Sequence, residues 1–201
     1  GEVSENCRMA VDHFAAQVVD SGVDTVVLAA RWSMYATGYY GDDDWRTAVT
    51  TTQGRSFITH EERVEELEKG FRRTVDFYRD AGVQVVLVGQ VPQQRQIPSI
   101  LIQNAMLMGL DKEAARRMFE RSFVTISDNE KMQADAHAVM LRVAQDMGVP
   151  LVLPDPVFAE GDRYVWLRGD DSLYLDDDHV SEEGARQIGP LMLKTLQELL
   201  G

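Results

Sequence analysis

Asp24-Thr25-Val26-Val27-Leu28-Ala29-Ala30 is a short, unbroken run of β-branched and apolar residues set between polar neighbours. A strand with one wet face alternates polar and apolar side chains, whereas a strand covered on both faces need not. The run therefore predicts a strand buried on both sides, of the kind found in parallel sheets. Val83–Val88 and Val149–Leu153 read the same way. Helical spacing fills the intervals between these runs. Met9, Phe14, Val18 and Val19 make a loose stripe over residues 6–21, which stops at Gly22. Thr59-His60-Glu61-Glu62 is a capping box. It opens a helix that carries Val64, Leu67, Phe71, Val75 and Tyr78 on one face and closes at Gly82.

Pro98 suits the first position of a helix running to about Met108, and a further helix begins near Asp111. Asp128 is expected to cap a long helix with Met132, Ala136, Val139, Met140, Val143 and Met147 inward, the methionines serving as core filler. Residues 164–175 read as loop and short strand with a turn at Gly169-Asp170. A last helix, Ser181–Leu200, is expected to bury Ala185, Ile188, Met192, Leu196 and Leu199. Helices alternating with short buried strands predict an α/β fold with a parallel sheet. Residues 37–57 lack any helical period and predict a long loop with room for a short hairpin.

At 201 residues the chain is expected to form one domain, 1–201, large enough for a real core. Its formal charge of -13 argues against nucleic-acid partners, since phosphate binding needs clustered Lys and Arg. No apolar run is long enough to span a bilayer. The single cysteine, Cys7, is either a buried small hydrophobe or half of a disulfide whose partner lies elsewhere. No Cys/His cluster has zinc spacing, and Asp176–Asp178 lack the spaced ligands and glycine of a calcium loop, so no metal is expected.

Chemistry concentrates in Tyr174-Leu175-Asp176-Asp177-Asp178-His179-Val180-Ser181-Glu182-Glu183-Gly184-Ala185. A carboxylate three residues before a histidine, on one tight loop at a helix start, can reach the imidazole and fix its tautomer. That is the acid and base part of a Ser-His-Asp device. Ligands of parallel sheets sit at the carboxyl ends of the strands. Arg31-Trp32, Gln90–Pro92 and Asp155 are all expected at such ends. Trp32 and Tyr35 are either a platform for stacking carbohydrate or part of the core. Trp45 and Asp42–Asp44 either line a cleft or are solvated. His13, His60 and His137, with no acid at matching spacing, are expected to be surface or packing residues.

The Asp-x-x-His-Val-Ser-x-x-Gly-Ala block resembles the last block of SGNH hydrolases. Two phrases, Val26–Tyr35 with its Arg31-Trp32-Ser33, and Leu173–Ser181, resemble the SGNH domain fused to membrane acyltransferases of the acyltransferase-3 family. The resemblance runs over nearly the whole chain. It implies an SGNH-hydrolase (flavodoxin-like) fold, a three-layer α/β/α arrangement around a parallel sheet. It also implies transfer of an acetyl group to a hydroxyl of a cell-surface carbohydrate such as lipopolysaccharide. The acetyl donor, acetyl-CoA, would serve the parent protein, with no cofactor bound by this domain. The location implied is extracytoplasmic, tethered through a fused membrane domain.

On this resemblance His179 is the general base and Asp176 its orienting acid. Arg31, Trp32, Ser33 and Tyr35 occupy the strand end where related enzymes hold the oxyanion and substrate. Those enzymes place an Asn there; this chain has none, and either Arg31 or a backbone N–H takes its part. The chain also lacks Gly-Asp-Ser, the family's nucleophile motif. Gly169-Asp170-Asp171-Ser172 has an extra residue and reads as a turn. The nucleophile block and first strand are therefore expected upstream of Gly1, together with a partner for Cys7. A carbohydrate acetylesterase and a non-catalytic binding module are the alternatives, because the same residues suit all three.

Overall fold

The structure, a computed structural model, describes the backbone of residues 5–40, 43–46 and 59–200. The side chains of Cys7, Asp42–Asp44 and Trp45 lie outside what it describes. The chain divides into two compact units, residues 1–89 with 134–151, and residues 90–133 with 152–201.

The first unit contains α1 (Glu5–Asp20), β1 (Thr25–Ala29), α2 (Trp32–Thr37), β2 (Tyr39–Tyr40), β3 (Asp43–Arg46), α3 (His60–Asp80) and β4 (Gln84–Val88). β2 and β3 form the expected hairpin. β1 and β4 pair in parallel, Thr25 opposite Gln84 through Ala29 opposite Val88. α3 starts as the sequence dictates: Thr59 Oγ1 accepts from the Glu62 N–H, and Glu62 Oε2 accepts from the Thr59 N–H. Its inward stripe, Leu67, Phe71, Val75 and Tyr78, is buried. Burying a side chain of this size contributes roughly 1.5–3 kcal/mol, so this stripe, not helix propensity, holds α3 in place.

The second unit contains α4 (Pro98–Leu107), α5 (Lys112–Ser122) and β5 (Val124–Thr125). α6 (Ile126–Met147) gives its first turns to this unit and the rest to the first, where Ala136, Val139, Met140 and Val143 join the core. Beyond it follow β6 (Leu151–Val152), α7 (Asp155–Phe158), β7 (Ala159–Glu160) and β8 (Arg163–Tyr164). β9 (Leu167–Arg168), β10 (Asp171–Ser172) and α8 (Glu182–Leu200) complete the chain. β6 extends the first sheet to the order β1-β4-β6, with the Leu87 N–H donating to the Pro150 carbonyl. β5-β8-β7 form a second small sheet, and β9 pairs with β10 around Gly169. This unit has its own core of Leu101, Phe158, Val165, Trp166, Leu173 and Tyr174. The Trp166 indole N–H donates to Ser122 Oγ at 2.8 Å.

Three expectations need correction. Among the described residues β1 pairs with β4 alone, and Val27 is 42% exposed, so β1 is not covered on both faces. Asp128 does not cap α6. The helix begins two residues earlier, and Thr125 Oγ1 accepts from the Asp128 N–H, so the hydroxyl before the helix takes the capping role. Ala185 is exposed while Gly184 is buried. A Cβ on Gly184 would stand 2.2 Å from the Leu173 carbonyl oxygen, so the inward face of α8 is set by this backbone contact. His60 is a surface residue, as expected, and meets the distant Asp135 on α6 at 3.0 Å.

Candidate active site

The acid–base stretch is a closed loop. The Leu175 N–H donates to the His179 carbonyl at 2.8 Å, and Tyr174 bridges Val180. Beyond the loop Ser181 caps α8, its Oγ accepting from the Gly184 N–H at 3.1 Å and donating to the Ser172 carbonyl at 2.6 Å. Inside it, Asp176 Oδ1 accepts from the backbone N–H groups of Asp178, at 3.0 Å, and His179, at 2.7 Å. Its other oxygen, Oδ2, lies 2.8 Å from His179 Nδ1. One carboxylate thus shapes the turn and orients the ring. The imidazole remains 69% exposed.

The electrostatics follow from these contacts. Burial opposes ionisation of Asp176, but the two N–H groups and the imidazole outweigh it, and its carboxyl stays below the usual range. The hydrogen bond to Asp176, joined by the charge of Asp178, raises His179 above an ordinary histidine. Asp178 is a contributor that spacing did not single out. Its side chain is 7% exposed and its Oδ1 stands 3.2 Å from the same Nδ1.

Distant residues hold the loop. Asp177 Oδ2 accepts from Gln93 Nε2 at 3.0 Å, and the Asp177 carbonyl accepts from the Gln94 N–H at 2.7 Å. The Tyr174 hydroxyl donates to the Pro92 carbonyl at 2.8 Å. Behind Gln93 lies fully buried Asn129, whose Oδ1 accepts from the Gln93 N–H and whose Nδ2 donates to Asp155 Oδ1. Gln133, one turn on, donates to Asn129 Oδ1 and to the Val91 carbonyl. A polar pair at positions 129 and 133, four apart on a helix whose other inward residues are apolar, is the signal that could have revealed this network.

A family model described as the SGNH domain fused to AT3 domains matches residues 1–194. The chain belongs to this family. A search of curated proteins returns no match. Among solved structures, the periplasmic domain of a lipopolysaccharide acetyltransferase from Salmonella ser. Paratyphi A is similar at a TM-score of 0.40 and 11% identity, over 96% of this chain and 100% of that one.

The remaining candidates of the SGNH domain, Arg31, Trp32, Ser33 and Tyr35, all belong to the first unit. Arg31 precedes α2 without capping it through its side chain. Trp32 is partly buried. Its indole N–H donates to the Val88 carbonyl at 2.7 Å, tying the end of β1 to the end of β4, and its ring packs 4.7 Å from that of Phe71. Ser33 is buried, and Tyr35 lies at the surface. Trp32 and Tyr35 line a cavity of about 320 Å³ with Glu66, Arg73 and Thr74 at its polar rim. Ser172 lies in β10 opposite Leu167, just past the turn at Gly169-Asp170, with its hydroxyl donating to the Tyr174 carbonyl.

Proposed function

We propose that this SGNH domain takes part in O-acetylation of a cell-surface carbohydrate, with His179 as general base and Asp176 as the acid that orients it. The observation that carries the reading is the 2.8 Å contact between Asp176 Oδ2 and His179 Nδ1, with the imidazole open to solvent. A histidine bonded through Nδ1 has Nε2 left for an incoming hydroxyl. The family's fusion to AT3 domains supports transfer of an acyl group supplied by a membrane-embedded partner domain. It also supports a location outside the cytoplasm. No helix among the described residues is long and apolar enough to cross a membrane.

In this mechanism His179 removes the proton of a serine hydroxyl, a residue that residues 1–201 do not supply in Gly-Asp-Ser form. The serine oxygen attacks the acetyl carbonyl, and the donor's leaving group takes the proton from the imidazolium. The same histidine then deprotonates a sugar hydroxyl, which attacks the acetyl-serine, and the departing serine oxygen takes the proton back from the imidazolium. Asp176 stabilises the imidazolium in both halves.

The test is His179→Ala in the full-length protein. The expected result is loss of acetyl ester from the surface polysaccharide, by about 10³-fold or more, with circular dichroism of the domain unchanged. Acetylation at the wild-type level would overturn the assignment. Acetate release without acceptor modification would make the domain an esterase.

A further inference from the structure

The His179 imidazole carries its proton at Nδ1 when Nε2 serves as the base, and two carboxylate oxygens stand within reach of that nitrogen. Asp176 Oδ2 is 2.8 Å away and Asp178 Oδ1 is 3.2 Å away. The shorter contact is an ordinary N–H···O distance and the longer lies at the outer end of the range, so the proton points at Asp176. A Ser-His-Asp device needs only one acid in this place. The second acid also differs in its surroundings. The Asp176 side chain is 37% exposed, that of Asp178 only 7%.

The loop fixes this placement from both sides of residue 178. Before it, Asp177 is tied to Gln93 through its side chain and to the Gln94 N–H through its carbonyl. After it, the His179 carbonyl accepts from the Leu175 N–H. The Asp178 N–H donates to Asp176 Oδ1, so the residue is held at its own backbone as well. A carboxylate kept from water loses hydration, and a nearby cation offsets that loss. An imidazolium at 3.2 Å is such a cation, and a pair with one shielded partner is screened less than a pair in open water. The other titratable groups acting on the ring are Asp176 and Asp177. Gln93 and Gln94 bring no charge to the loop, and burial keeps the Tyr174 hydroxyl protonated.

We propose that Asp178 is a second positioning residue for the base, standing beside Asp176 at His179 Nδ1. The two acids divide the work. Asp176 aims the ring, and Asp178 stabilises the imidazolium that forms each time the base takes a proton. The assignment rests on His179 as the base and adds an acid that the Asp-x-x-His spacing passes over. Two acids serve where one would fall short, because Asp176 Oδ1 is committed to two backbone N–H groups that draw its charge toward the turn. Asp178 Oδ1 faces the ring from a shielded position, so less of its field is lost to solvent. His179 is accordingly raised above an ordinary histidine first by the hydrogen bond to Asp176 and next by the charge of Asp178.

Ring-proton NMR titration of His179 tests this in the chain itself. In Asp178→Asn, which keeps the shape and removes the charge, the midpoint should fall toward 6.5. Asp176→Asn combined with Asp178→Asn should lower it further than either change alone. In the full-length protein Asp178→Asn should reduce kcat for acetyl transfer by about tenfold at unchanged KM, with the alkaline-rising limb moved to lower pH. The wild type supplies a check that needs no variant, since the Asp178 carboxyl carbon should shift with the same midpoint as the ring. A carbon that ignores the ring, or an Asp178→Asn midpoint equal to that of the wild type, would overturn the proposal. So would a lower melting temperature with midpoint and pH limb unmoved, because Asp178 would then serve the fold alone. A fully active His179→Ala would overturn the base reading, and with it any part for Asp178 in turnover, even where the Asp178→Asn midpoint moves.

Discussion

Asp176 has two oxygens with separate duties, and each can be tested. In Asp176→Asn the amide oxygen can still accept the N–H groups of residues 178 and 179, but the negative charge beside the imidazole is gone. The pKa of His179 should therefore fall back toward its ordinary 6.5, which ring-proton NMR titration would detect. In the wild type the partnered ring titrates above 6.5, so the pair's contribution to stability is complete below that value and is lost as pH rises through the folded pKa. Asp176 behaves oppositely. Its contribution is present above its ordinary 3.8 and disappears as pH falls through its depressed folded value. A general base must be neutral, so the alkaline-rising limb of activity should shift to lower pH in Asp176→Asn while the maximum rate drops. An unshifted limb would place the catalytic titration elsewhere. Gly184 is tested by Gly184→Ala. The added methyl meets the Leu173 carbonyl, and urea unfolding should show a loss of about 1–3 kcal/mol.

Elements show which local signals were readable. The capping box at Thr59 was legible because its two bonds span three residues, and it formed as the sequence implied. Thr59→Ala should cost about 1 kcal/mol in thermal unfolding. α6 is the contrary case. Its apolar stripe predicted the inward face toward its end, but the burial of Asn129 and Gln133 was hidden, because their partners Gln93, Val91 and Asp155 come from other segments. Asn129→Ala would leave the Gln93 N–H and Asp155 without this partner. It should destabilise the chain by about 1–3 kcal/mol and loosen the 174–179 loop that Gln93 holds. Hydrogen exchange at Asp178 and His179 should speed up in that variant. Unchanged exchange would show that Asn129 supports the fold without supporting the loop.

At the scale of the molecule, charge is the property written most plainly in the sequence. A net charge of -13 on 201 residues repels itself in the compact state, so moderate salt should raise the melting temperature relative to low ionic strength. A flat response would mean that ion pairs such as Glu68 with Arg72 and Arg142 already offset the repulsion. Burial is shared between two cores, one around Phe71, Val75 and Val139 and one around Phe158 and Trp166. The hydrophobic periods marked members of the first core, on α3 and α6, but not of the second, because Trp166 and Leu173 lie in a stretch of loop and short strand that has no helical period.

The sequence by itself determined most of what acts within one turn of chain, the Thr125 cap of α6 excepted. It marked the Thr59 box and the reach from Asp176 to His179, since partners three residues apart have few ways to miss each other, and its apolar runs marked the parallel strands. Tertiary structure alone decided the exposure of Val27 on β1, the anchoring of Asp177 by Gln93 across 84 residues, and the exposure of Met106 and Leu107. Each of these depends on which distant segment arrives alongside. That choice is made by the whole balance of burial and hydrogen bonding, and no short window of residues contains it.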